Sequence, residues 1–187
     1  MMAGRFLHVL ETEYLPKLAE RTHPILGTAT LNIGTIAGGD QPSTVADSCV
    51  IKLDRRCLTS ETIEQVYSEL QEIVDRLHEE DERFVAEVSD VFEGQTLPHI
   101  PFCTPEESKV VQASKSSLLK EGVEPVLTCF PAWSDAGFMN EFTKTQCIVM
   151  GPGKIAVAHS IHEKISKEQL KTAENVYTDI ARDICQV

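Results

Sequence analysis

The segment AHSIHEKI brings His159, His162 and Glu163 together just past a glycine-rich turn. Neutral imidazole beside acidic groups is a ligand set suited to zinc. The order is HxxHE rather than the HxxEH of inverted zincins, so the spacing admits either a metal ligand or a surface histidine at His159. His8, His23, His78 and His99 lack local partners and read as structural or solvent-exposed. KLDRRCL sets Asp54, Arg55 and Arg56 at the end of an expected strand. Adjacent strand residues point to opposite faces, so only one of the two arginines can aim into any one cleft. There a guanidinium can grip a carboxylate through two parallel hydrogen bonds; the alternative is a surface charge pair with Asp54. Ser134 and Asp135 in WSDAG fall at a strand-to-helix junction, where capping is the default role. Gly151, Pro152, Gly153 and Lys154 lack the GxxxxGK[ST] spacing of a phosphate loop and read as a tight turn.

These residues need elements to hold them. Residues 2–20 carry Phe6, Leu7, Val9, Leu10, Tyr14 and Leu18 on one broad helical face, and Pro16 is expected to bend that helix near its end. Residues 29–36 and 45–54 alternate and are rich in β-branched side chains, as strands do. The spacing predicts a helix over 61–79, capped by Thr59 or Ser60, and FVAEVSDVF (84–92) alternates as a further strand. Helix, strand, strand, helix, strand is a ferredoxin-like pattern without its opening strand. Three prolines in 94–108 then mark a boundary. Beyond it come a helix over 105–121, opened by Thr104 and Pro105 and stopped by Gly122, and a short strand VLTCF. A helical turn near Ser134 and a strand TQCIVMG follow. A closing helix over 166–186 is capped by Ser166, with Ile165, Leu170, Ala173, Val176, Ile180, Ala181 and Ile184 as its buried side. The fold class expected is α+β.

The 187 residues suit one comfortable domain or two small ones. Seventeen Lys+Arg against 29 Asp+Glu leave a formal charge of −12, which disfavours nucleic acid and anionic membrane surfaces as partners. No apolar run approaches the roughly 20 residues of a membrane span. Six scattered cysteines without a CxxC pair read as buried, reduced thiols. A cytoplasmic location is the expectation.

HPILGTATLNIGTIAGGDQPSTVADSCVIKLDRR, then SDAGFMNEF, then GPGKIAVAHSIHE, resemble the zinc-dependent acylase and peptidase family of acetylornithine deacetylase, succinyl-diaminopimelate desuccinylase, aminoacylase and carboxypeptidase G. The resemblance runs in order from end to end. It implies an α/β catalytic domain with two zinc ions and an inserted lid domain that dimerises. Residues 1–95 would correspond to most of the lid, and 100–187 to the C-terminal segment of the catalytic domain. By the same resemblance His159 matches a metal-ligating His, Arg56 the lid arginine that holds the substrate carboxylate, and Ser134 and Gly153 positions near the substrate. The family's HxD motif, bridging Asp, Glu-Glu pair and oxyanion-stabilising lid His would all precede Met1. The expectation is a piece of an amidohydrolase for N-acyl amino acids or peptides, dimeric and inactive alone. The other expectation is a free-standing dimerisation or regulatory module that pairs with a full-length relative or a separate N-terminal half. Ser43, Ala46 and His162 depart from the usual Asn, Pro and Asn of the family.

Overall fold

The computed structural model describes residues 1–91 and 99–186. The chain divides into two compact units, Met1–Pro101 and Phe102–Val187.

The first unit opens with helix α1 (Met2–Val9), a π-helical turn (Leu10–Tyr14) and α2 (Leu15–Ala19). The backbone stays right-handed helical through both junctions. Pro16 sits in the first turn of α2. Its ring has no N–H to give and would crowd the carbonyl four residues back, and widening the turn ahead of it relieves that crowding without ending the helix. A two-residue pair, β1 (Thr22–His23) with β2 (Gly27–Thr28), closes a turn whose Ile25 and Leu26 amides donate to His23 Nδ1.

The hairpin β3 (Thr30–Ala37) and β4 (Val50–Arg56) is antiparallel, running from Thr30 opposite Arg56 to Ala37 opposite Val50. Its register shifts between Ile33 and Thr35, leaving Gly34 as the extra residue of a bulge. Leu31, Ile33, Ile51 and Leu53 face the core, while Thr30, Asn32, Lys52, Asp54 and Arg56 line the exposed face. One solvated face is what a single antiparallel layer tolerates. At the hairpin's far end Gly38 is obligatory, because a Cβ there would stand 2.4 Å from the Ser48 carbonyl oxygen.

Helix α3 (Ile63–Glu80) starts at Thr62, not at Thr59 or Ser60. The reason is a capping box: the Gln65 amide donates to Thr62 Oγ1 at 3.2 Å, and the Thr62 amide donates to Gln65 Oε1 at 2.9 Å. Val66, Leu70, Ile73, Val74 and Leu77 pack against Phe6, Val9, Leu10, Tyr14 and Leu18 to form the core of the unit. Residues 84–91 join no sheet, and Phe92 lies outside the described residues. Phe84 and Val88 turn onto the core while Val85 is exposed, so the alternation is satisfied by burial without a ladder partner.

The second unit is built on α4 (Lys109–Lys120) and α6 (Lys167–Cys185), with α5 (Ala136–Thr143) between them in sequence. Helix α4 begins at Ser108, not at Pro105. The Thr104 hydroxyl is committed to the Cys147 carbonyl and cannot cap. The C-terminal end is as expected: Gly122 takes φ +73°, its amide donates to Leu119 O at 3.0 Å, and the Val123 amide reaches Leu118 O at 2.9 Å. This is a Schellman ending. Ala113, Ser114 and Ser117 are buried small residues of α4, which packs against α6. Ser166 caps α6 by accepting from the Gln169 amide at 3.0 Å. Of the expected buried side only Val176 is buried; Ile165, Leu170 and Ile184 are exposed. VLTCF and TQCIVMG form no sheet, and no strand occurs in this unit among the described residues. A strand exists only with a ladder partner, and apolar Val126, Leu127, Phe130 and Val149 stay on the surface.

Candidate functional site

Arg56 ends β4 on the exposed face of the hairpin. Its Nη2 donates to Asp54 Oδ2 at 2.8 Å, and both side chains are more than half exposed. The pairing follows from the strand: residues two apart share a face. An exposed pair of this kind contributes about 0–1 kcal/mol, so an incoming carboxylate can displace Asp54 at small cost.

Arg55 points the other way and is 7% exposed. It meets Glu61, itself 6% exposed, through Nη2, while its Nη1 donates to the Arg56 carbonyl. Glu61 Oε2 accepts from the Leu58 amide at 2.8 Å. Arg21 bridges onward, from Nη1 to Glu61 at 2.8 Å and from Nη2 to Glu69 at 2.7 Å. The Tyr14 hydroxyl donates to Glu69 Oε2 at 2.9 Å. Burial works to raise the Glu61 carboxyl, but the Leu58 amide and the Arg21 and Arg55 guanidiniums outweigh it and hold it below the usual carboxylate range. Burial pushes the Tyr14 phenol and the Cys57 thiol up. Sequence reasoning missed this cluster as a site. Its one visible signal was the adjacent pair Arg55 and Arg56, of which strand alternation sends one inward without saying which.

In the second unit Ser134 is half-buried just before α5, and its carbonyl accepts from the Gly137 amide at 3.2 Å. Neither it nor Asp135 makes a side-chain cap. Gly153 has φ +98°, a conformation that suits glycine and agrees with the tight-turn reading. His159 is exposed with φ +60°, and its backbone amide donates to Glu163 Oε2 at 2.8 Å. A left-handed backbone at a non-glycine residue is uncommon, and a nearby carboxylate that holds the amide maintains it. His162 donates its amide to Ser160 Oγ at 3.1 Å. Among the described residues no three His, Cys, Asp or Glu side chains gather as a metal site. Within the described residues the side chains therefore do not by themselves fit a metal centre. No helix among the described residues is long and apolar enough to cross a membrane.

The family model for peptidase family M20/M25/M40 matches residues 9–183, nearly the whole chain and both units. The chain belongs to this family. Within it, this M20 chain is 27% identical over 169 residues to the N-formyl-4-amino-5-aminomethyl-2-methylpyrimidine deformylase of Bacillus subtilis, covering 85% of the chain and 39% of that protein. It is 30% identical over 159 residues to the acetylornithine deacetylase of Edwardsiella ictaluri, covering 84% of the chain and 38% of the relative. The acetylornithine deacetylase of Salmonella arizonae is 28% identical over 163 residues, again with 38% of its length covered. The M20 chain thus spans well under half the length of these relatives.

Proposed function

We propose that this chain supplies the C-terminal portion of a metal-dependent amidohydrolase that removes the acyl group from N-acyl amino acids or small peptides. The family match through both units carries the reading, supported by relatives named for removing formyl and acetyl groups. Residues 1–95 act as the ferredoxin-like lid, through which two copies dimerise, and 100–187 as the end of the catalytic α/β domain. Arg56 holds the substrate carboxylate: it stands on the solvated sheet face, its guanidinium paired among the described residues with an exposed Asp54, and its planar fork matches a carboxylate. Ser134 and Gly153 lie near the substrate. His159 is one ligand to one of two zinc ions, and residues outside these 187 complete the set. The metal would supply activation of the attacking water when bound. The location is cytoplasmic, and neither nucleic acid nor membrane is a partner.

Native mass spectrometry of the 187-residue chain with zinc chloride tests this, together with acetate release from N-acetyl-L-ornithine. The expected result is a dimer without stoichiometric zinc and without hydrolysis. A chain that binds zinc in defined ratio and hydrolyses alone would refute the shared-site reading, and a monomer would refute dimerisation through the lid. A metal-free dimer that restores no activity with any N-terminal M20 segment, yet alters a full-length relative on mixing, would favour the regulatory module instead.

A further inference from the structure

The ladder between β3 and β4 stops at Thr30 opposite Arg56. Beyond it, Cys57 and Leu58 have no strand neighbour to fix them. The Arg55–Glu61 pair takes over that task. Arg55 Nη1 holds the Arg56 carbonyl and Glu61 Oε2 holds the Leu58 amide, so one buried ion pair grips the backbone on both sides of Cys57. Arg21 and Glu69 then tie the pair to the end of the first helix and to α3. Three elements meet at the root of Arg56, behind the sheet, while its guanidinium stands in front.

We infer that Arg55, acting through Glu61, is a positioning residue that fixes the end of β4 and so presents Arg56 to a carboxylate ligand. The inference rests on the substrate role of Arg56 given above. A buried pair is well suited to the task. Removing one member leaves an uncompensated charge in the interior, whereas replacing both with apolar groups of similar volume is often tolerated. Holding power and bare stability can therefore be separated.

The test uses the full 187-residue chain, uniformly ¹⁵N-labelled, with N-acetyl-L-ornithine as probe. Three signals are read: the Arg56 Nε–Hε resonance, the exchange rate of the Leu58 amide, and probe affinity by isothermal titration calorimetry. Arg55→Met and Glu61→Gln should accelerate Leu58 exchange at least tenfold, move Arg56 Nε–Hε toward the free-arginine position, and weaken the probe about tenfold. Arg55→Lys should recover part of each. Should the single variants unfold, Arg55→Met/Glu61→Leu keeps the interior uncharged and must still lose the Arg56 signature. A folded variant of either kind with unchanged Arg56 and Leu58 signals overturns the inference. Arg56→Ala separates the two claims. If it binds the probe as well as the parent, the substrate role of Arg56 falls, while the ligand-free signals still judge the clamp.

Discussion

Leu10 lies in the π-helical turn of the first helix with none of its surface exposed, and Leu10→Ala offers a sharp test of the core it anchors. The substitution removes about three methylene equivalents, worth roughly 0.8 kcal/mol each in transfer free energy, or about 2.4 kcal/mol. A residual cavity adds to this, because the wide turn and α3 can close over the gap only in part. Leu-to-Ala changes at fully buried positions range over about 2–5 kcal/mol, and about 3 kcal/mol is expected here. With a urea slope of about 1.5–2 kcal/mol/M, the midpoint for the first unit should fall by roughly 1.5–2 M. Amide hydrogen exchange in α3 during urea titration reports on that unit directly. Leu170→Ala is the matched control. Leucine 170 repeats at core spacing in the sequence yet is 57% exposed, and its loss should stay within about 0.5 kcal/mol. A Leu10→Ala cost below about 1 kcal/mol, or one no larger than that of Leu170→Ala, would refute the packing described for the first helix.

Two further outcomes follow from local chemistry. Thr62→Ala breaks the capping box of α3 and should destabilise the first unit by about 1 kcal/mol, read as earlier exchange of the Gln65 and Val66 amides; Thr59→Ala and Ser60→Ala should not. Glu61 is held below its ordinary carboxylate range in the folded state, so it contributes stability that is present above its unfolded value near 4.5 and is lost as pH falls through the folded value. Urea midpoints should therefore drop as the pH falls below about 4.5, and Glu61→Gln should flatten that dependence while lowering stability at pH 7.

The helices and the hairpin were legible because their signals are local. The 3,4 spacing of Val66, Leu70, Ile73, Val74 and Leu77, the Ser166 cap and the Gly122 stop act within a few residues, and the structure places all of them as read. The start of α3 was misplaced because Thr59, Ser60 and Thr62 are all competent caps. Only Thr62 has a glutamine three residues on. The start of α4 was misplaced because Thr104 spends its hydroxyl on Cys147, a partner 43 residues away. At the candidate site, alternation dictated that Arg55 and Arg56 diverge, and resemblance singled out Arg56. Neither pointed to Glu61, Arg21 or Glu69 as the charges that make burial of Arg55 tolerable.

Composition, periodicity and the ordered family blocks were enough to determine an acidic α+β chain of the M20 family with its main helices and its one long hairpin in order. Tertiary structure decided what each apolar or charged face meets. Val176 is buried while Leu170 on the same helix is exposed, and VLTCF forms no strand among the described residues despite its strand composition. Arg55 is buried because the Glu61 carboxylate, beyond the end of the strand, turns onto its side of the hairpin, where Arg21 and Glu69 extend the charge network. A cap or a turn is chosen by neighbours along the chain. Burial, strand pairing and ion-pair partners are chosen by whatever surface the fold brings alongside, and a pattern within one segment does not contain that surface.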